Sequence, residues 1–264
     1  IMFPGLTVAT IVGVPFGTWL GQAHGWRSTF WAVTAIGLVA FAIIALFVPR
    51  DRAVAEPPRL ADEWRAVLRA PVLLGLATTV LGFAGVFAVF TYIAPLLTRI
   101  SGFADSAVSP ILLVFGGGLM AGNLIGGRLA DRRLVPAMIG SLVVLAVVLV
   151  ALTFALPHRV AAVFFVGLFG AAAFATVPPL QMWVLEKASG AGRNLASSLN
   201  IAAFNLGNAI GAWLGGVVID QGPGLGALGW TAALLPLSAL AVIAVSVRRE
   251  ARQPAVPVAA CAAK

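Results

Sequence analysis

The residues best equipped for chemistry in this chain form a cluster of charge beside a pair of glycines: Gly122, Gly126 and Gly127, then Arg128, Asp131, Arg132 and Arg133. One carboxylate among three guanidinium groups, with no nucleophile beside it, offers electrostatics rather than catalysis. It suits a charged latch that locks against a partner element. An apolar run enters the stretch from Ala107 and another leaves it at Leu134, each long enough to cross a bilayer. The stretch therefore reads as a tight hairpin on a membrane surface, where paired glycines let two helix ends approach. Asp131 is expected at the start of the following helix, where the positive end of the macrodipole favours an anion. A plain basic stop between two spans fits the same residues.

Polar groups inside the apolar runs are few. Thr91 and Tyr92, the latter the chain's single tyrosine, precede Pro95, and Gln181 follows Thr176, Pro178 and Pro179. Proline inside a helix frees a carbonyl and bends the axis, which suits a helix facing water or protein. Thr91 and Gln181 fit cavity lining and interhelical hydrogen bonding equally, and Phe90 reads as packing. Asn205 and Asn208 are three apart and share a helix face. Buried amides are costly in lipid, so that face must meet protein or a cavity. Asn200 points about a third of a turn away from Asn205 and ranks below it.

The absences constrain function as firmly. All nine acidic residues, Asp51, Glu56, Asp62, Glu63, Asp105, Asp131, Glu186, Asp220 and Glu250, fall in loops or at span ends. No mid-membrane group can carry a coupling proton. His24 and His158 are far apart and the single cysteine, Cys261, lies in the tail, so neither a metal site nor a cofactor is implied. No nucleophile sits near a base, which leaves nothing for an enzyme reading to rest on.

The elements that must hold these residues are membrane helices. The chain has 264 residues, 61% hydrophobic and only 10% charged, with a mean hydropathy of +1.03, far beyond what a soluble core can hide. Strand alternation is missing, so the fold class is all-α, a polytopic helical membrane protein. Eight segments are long enough to span: 1–21, 29–48, 71–98, 107–127, 134–156, 160–185, 195–219 and 227–247. The net charge of +8 is spread between them as topology signals, not gathered into a nucleic-acid surface. Of the 17 lysines and arginines, only Arg27, Arg99 and Arg159 fall on one side. The positive-inside rule then puts the rest, and both termini, in the cytoplasm. In the longest loop, Leu60, Trp64, Val67 and Leu68 recur at helical spacing between charges, predicting a short amphipathic helix on the membrane surface.

The glycines repeat. Gly13, Gly17 and Gly21 are four apart in the first span, Gly118, Gly122 and Gly126 in the fourth, and Gly207, Gly211 and Gly215 in the seventh. Each set makes a smooth groove for a second backbone. Recurrence at every third helix predicts a three-helix repeat whose middle member packs closely, the usual construction of secondary transporters.

Several stretches carry a family resemblance. Gly13-Val14-Pro15-Phe16-Gly17, Gly25 to Phe30, Gly122 to Arg133 and Asn200 to Asn208 resemble, respectively, the fifth-helix Gly/Pro signature, the external turn after it, the second-half charged loop and the eleventh helix of major facilitator superfamily transporters. The branch resembled is that of bacterial drug and sugar-efflux permeases exchanging solute for protons, although Val14 stands where the antiporter pattern has glycine. The resemblance implies that the spans correspond to family helices five to twelve: residues 1–49 as the last two helices of an N-terminal bundle, 50–70 as a cytoplasmic linker, 71–249 as a six-helix C-terminal bundle, and 250–264 as a tail. It further implies an inner-membrane carrier of a small amphipathic solute or sugar, whose titrating group belongs to helices before residue 1. Spans three and six, with Thr91, Tyr92 and Gln181, would line its cavity. A chain so arranged is expected to insert but to transport little until about four upstream helices are restored.

Overall fold

The computed structural model describes residues 13, 16–17, 19–21, 23–47, 60–188 and 192–251. Its elements are α1 (Trp26–Phe47), α2 (Leu60–Val67), α3 (Ala70–Phe90), α4 (Asp105–Arg132), α5 (Leu134–Ala155), α6 (Arg159–Ala175), α7 (Val177–Lys187), α8 (Arg193–Asp220) and α9 (Leu228–Ala251). No strand occurs among the described residues. Seven helical stretches, with α6 and α7 counted together, are long and apolar enough to cross a membrane. Most of the first expected span, Pro15 included, lies outside the described residues. Within it, a Cβ on Gly13 would meet nothing within 4 Å, and one on Gly17 would make an ordinary contact with the Thr29 methyl at 3.5 Å. At Gly21 a Cβ would lie 3.3 Å from Thr29 Oγ1, a tighter approach to a side chain of the next helix. Thr29 Oγ1 donates to Gly17 O (3.2 Å) and Ser28 Oγ to Leu20 O (3.1 Å), tying this piece to α1. None of the 22 residues of α1 is buried.

From α3 onward the helices interlock by a rule. Taking α3, α4 and α5 as one unit and α6/α7, α8 and α9 as the next, the first helix of each is gripped by the second and third helices of the other. Thus α8 and α9 embrace α3, while α4 and α5 embrace α6. The expected repeat is present, and its close-packing member does its work across units rather than within one. Glycine is the reason. A Cβ on Gly118, Gly122 or Gly126 of α4 would strike the backbone carbonyl of Gly167, Ala171 or Ala175 of α6, respectively. On α8, a Cβ at Gly207, Gly211 or Gly215 would strike Val80 O, Ala84 O or Ala88 O of α3. Both seams advance four residues at a time in the same direction, so each joins parallel helices at backbone contact, the close approach that small residues permit in membranes. Gly85 of α3 meets α9 similarly: its Cβ would lie 3.0 Å from Ala232 O and 2.6 Å from Pro236 Cδ. Pro236 cannot supply the N–H that Ala232 O would accept in a regular helix.

Two helices are interrupted where the prolines predict. Pro95 removes the hydrogen bond to Thr91 O, and α3 gives way at Thr91–Tyr92 to a short turn, Ile93–Pro95, and a π-helical turn, Leu96–Ile100. Pro178 and Pro179 do the same to Phe174 and Ala175, and the helix breaks at Thr176 between α6 and α7. The amphipathic helix of the long loop is present as α2. It is held to the bundle more than a purely surface helix would be: Ala66 and Val67 are buried, and Val67 joins Val72, Val184, Ala188 and Ala196 in one apolar cluster, while Trp64 stays half exposed.

Candidate functional site

The charged hairpin differs from expectation in one respect. Helix α4 continues through the paired glycines to Arg132, so Asp131 sits in its last turn and not at the start of α5. Arg133 alone is extended (φ −151°, ψ 96°) and serves both helices: its N–H reaches Leu129 O and its carbonyl accepts from Ala137 N. The Gly126–Gly127 pair does not break the helix because Gly126 is packed against Ala175, whereas Gly127 faces open space. Arg128, Asp131, Arg132 and Arg133 are all exposed, and Asp131 makes no ion pair among the described residues. The latch residues thus project from the end of α4 with their charges available.

The mid-membrane polar residues fall into two groups. Gln181 belongs to a buried chain of neutral hydrogen bonds across α3, α7 and α8. Thr79 Oγ1 donates to Asn200 Oδ1 (2.8 Å), Asn200 Nδ2 to Gln181 Oε1 (2.6 Å), and Gln181 Nε2 to Ser197 Oγ (3.1 Å). Asn200 and Thr79 have no solvent exposure, while Gln181 and Ser197 are half-buried. This chain fastens α7, the segment beyond the proline break, to both neighbours. Tyr92 plays a matching part at the other break: its hydroxyl donates to Ala212 O on α8 (2.9 Å), and its ring covers Gly215 and Gly216. Helix α8 therefore holds both interrupted helices.

In the second group, Thr91 and Asn205 face outward. Thr91 is exposed and donates to Phe87 O in its own helix (2.7 Å). Asn205 is exposed and donates to Ile201 O (2.9 Å), while Asn208 is half-buried with a buried Oδ1 lacking a partner among the described residues. Phe90 packs, its ring stacked on Phe115 at 4.8 Å. Sequence reasoning ranked Asn200 below Asn205, and it missed Thr79 and Ser197. A signal was present: Asn200 lies seven residues before Gly207, in phase with the glycine seam.

The carboxylates whose places are described, Asp62, Glu63, Asp105, Asp131, Glu186 and Asp220, sit on α2 or at helix ends. A recess of about 470 Å³ lined by Phe103, Arg159, Val160, Val163 and Phe164 lies at the start of α6. There Arg159 is a loop staple, donating to Ser101 O and Gly102 O.

Comparison with known proteins agrees with this architecture. The family described as Major Facilitator Superfamily matches residues 1–195 and, in a second placement, 111–262; two overlapping placements are what an internally repeated chain produces. The MFS-type transporter YtbD of Bacillus subtilis (strain 168) is 40% identical over 243 residues, covering 91% of this chain and 61% of that protein. The inner membrane transport protein YdhP of Escherichia coli (strain K12) is 40% identical over 249 residues, covering 94% and 64%. The chloramphenicol resistance protein of Streptomyces lividans is 37% identical over 246 residues, covering 92% and 62%. The chain thus spans a little under two thirds of the length of these relatives. With its apolar helices, interlocked three-helix units and these matches, it is a multi-pass membrane protein that belongs to the Major Facilitator Superfamily of transporters.

Proposed function

We propose that this chain serves a secondary carrier that exports a small amphipathic solute or a sugar in exchange for protons across the bacterial inner membrane, with both termini in the cytoplasm. The observation that carries the reading is the interlock of interrupted helices with glycine-seamed ones, in which α3 and α6/α7 are each broken by proline and each held by parallel backbone contact. Transporters place solute sites at such discontinuous helices, where backbone groups are freed near the midplane. The name of the Streptomyces lividans relative supports efflux and suggests chloramphenicol as a first probe. The distribution of arginines supports the orientation. The described carboxylates all lie on the surface helix or at helix ends, so the proton-carrying group belongs elsewhere, in a bundle equivalent to the part of the relatives that this chain does not match. In the same reading, Asp131 and the arginines around it latch one conformation by closing against an element of that bundle.

The test is chloramphenicol movement in proteoliposomes under an imposed pH gradient, with the chain alone and joined to the N-terminal bundle of YdhP. Saturable efflux that collapses with the gradient supports the proposal. Movement indifferent to the gradient and to the protein overturns it.

A further inference from the structure

The turn from α5 into α6 carries a cation that its surroundings fix in place. Arg27, Arg99 and Arg159 are the basic residues that the loops put on this side of the membrane. Arg27 lies over the ring of its neighbour Trp26 (4.8 Å), and Arg99 is exposed in the π-helical turn. Arg159 is held from outside its own helix. Its Nε donates to Ser101 O (3.3 Å) and its Nη2 to Gly102 O (2.7 Å), and its guanidinium carbon stands 5.7 Å from the centre of the Phe103 ring. The acceptors are themselves anchored: Ser101 Oγ donates to Leu156 O (2.6 Å), and Gly102 takes a φ of +69° that suits glycine. A guanidinium has five N–H groups. Two are engaged, so both on Nη1 and one on Nη2 lack a partner among the described residues.

Beside these donors lies the recess of about 470 Å³, whose remaining walls are Phe103, Val160, Val163 and Phe164. Apart from the guanidinium, every wall is apolar. Arg159 is also the first residue of a spanning stretch, Arg159–Lys187, which puts the recess where headgroups meet acyl chains. Val160, Phe164 and Leu168 are exposed at four-residue intervals and continue an apolar strip about 12 Å down the helix. No side chain caps the start of α6, so the positive end of its dipole opens at the same level. The lining holds no carboxylate. Asp105, two residues beyond Phe103, is exposed at the start of α4 and makes no ion pair with Arg159 among the described residues.

We propose that this recess holds one anionic phospholipid of the adjoining leaflet, its phosphate on the unused N–H groups of Arg159 and the first part of an acyl chain against Val160, Val163 and Phe164. A planar guanidinium meets two phosphate oxygens at once, and one already fixed loses little rotamer freedom on binding. A soluble phosphate would gain nothing from apolar walls, whereas a lipid matches both halves of the site. A headgroup bearing an ammonium would set a second cation beside the first, which favours phosphatidylglycerol over phosphatidylcholine. The site rests on the membrane location of α6 and not on the carrier reading.

Lipid titration followed by native mass spectrometry tests this on the full chain, delipidated in mild detergent. The first phosphatidylglycerol should bind about fivefold more tightly than phosphatidylcholine with the same chains. Arg159→Gln removes the charge and should weaken that first phosphatidylglycerol about tenfold. Val160→Trp keeps the charge, fills the recess from an exposed position and should weaken it comparably. Arg99→Gln removes an equal charge on the same side and should change it by less than about twofold. Glycerol 3-phosphate, a headgroup without chains, should not compete at millimolar concentration. Equal affinity for the two lipids, unchanged binding in Arg159→Gln or in Val160→Trp, or an equal loss in Arg99→Gln overturns the site. Competition by glycerol 3-phosphate overturns the lipid as its occupant. If Arg159→Gln does not fold, Val160→Trp decides: undiminished phosphatidylglycerol affinity with the recess filled refutes the proposal.

Discussion

Adjacent glycines in α4 should respond oppositely to one methyl group. A Cβ at Gly126 would collide with the Ala175 carbonyl and lie 2.8 Å from Ala175 Cα, where ordinary contact begins at 3.4 Å; at Gly127 it would meet nothing within 4 Å. Gly126→Ala therefore needs α4 and α6 to part by about 1 Å, a distance set by the carbonyl oxygen, and gaps up to that size forfeit a quarter to a half of each contact they open. Overpacking of this kind costs about 1–3 kcal/mol. Gly127→Ala gains helix propensity, up to about 1 kcal/mol, with nothing to set against it. The two variants should differ by about 2–4 kcal/mol in opposite directions, which corresponds to a separation on the order of 5–15 °C in midpoint. The assay is thermal unfolding of the full chain in mild detergent, monitored by near-ultraviolet circular dichroism and by size exclusion. The neighbouring pair repeats the test: a Cβ at Gly118 would lie 2.9 Å from the Gly167 carbonyl carbon, while Gly117 is open. If both members of a pair shift the same way, the seam is not where the structure places it.

Other outcomes follow from the polar contacts. Asn200→Ala strips the donor from Gln181 Oε1 and leaves Thr79 Oγ1 only Gly75 O as acceptor, and should lower stability by about 1–2 kcal/mol, whereas Asn205→Ala should stay within about 0.5 kcal/mol; equal effects in detergent unfolding would contradict the buried chain. Tyr92→Phe removes the hydroxyl that reaches Ala212 O and should cost about 0.5–1.5 kcal/mol, with faster amide exchange over residues 93–103 and none over 177–187. Asp131→Asn should leave insertion and the unfolding midpoint unchanged to within about 0.5 kcal/mol, because the carboxylate is exposed and unpaired among the described residues. By the latch proposal it should still lower flux in the proteoliposome assay, and a normal rate would count against the latch.

Much of the fold was legible because membrane constraints are written in single residues. Length and apolarity fixed seven of the helices, Pro95 and the Pro178–Pro179 pair marked both breaks, and the four-residue spacing of glycines marked both seams. Which helix each seam meets was not legible. Spacing shows that a backbone can approach but does not say whose, and the exchange between units appears only in three dimensions. The hairpin misled for a local reason: paired glycines suggest a turn, yet Gly126 gains enough from contact with Ala175 to stay helical. The polar residues were harder still. Asn200, Asn205 and Asn208 are chemically alike and within three turns of one another, and their burial depends on phase relative to a seam whose partner was unknown. Reading Asn200 with the glycines rather than with the asparagines would have placed it inside.

The interlocked units are the centre of the account, and disulfide crosslinking in native membranes tests them most directly. In a Cys261→Ala background, the Phe83→Cys/Gly207→Cys pair joins α3 to α8, where a Cβ at Gly207 would lie 3.4 Å from Phe83 Cβ. The Val114→Cys/Gly167→Cys pair joins α4 to α6, where a Cβ at Gly167 would lie 2.9 Å from Val114 Cγ1. Disulfides need Cβ atoms about 3.5–4.5 Å apart, so both pairs should close on mild oxidation. The exchanged pairs, Phe83→Cys/Gly167→Cys and Val114→Cys/Gly207→Cys, should stay reduced. Closure of the exchanged pairs, or of neither set, would contradict the interlock.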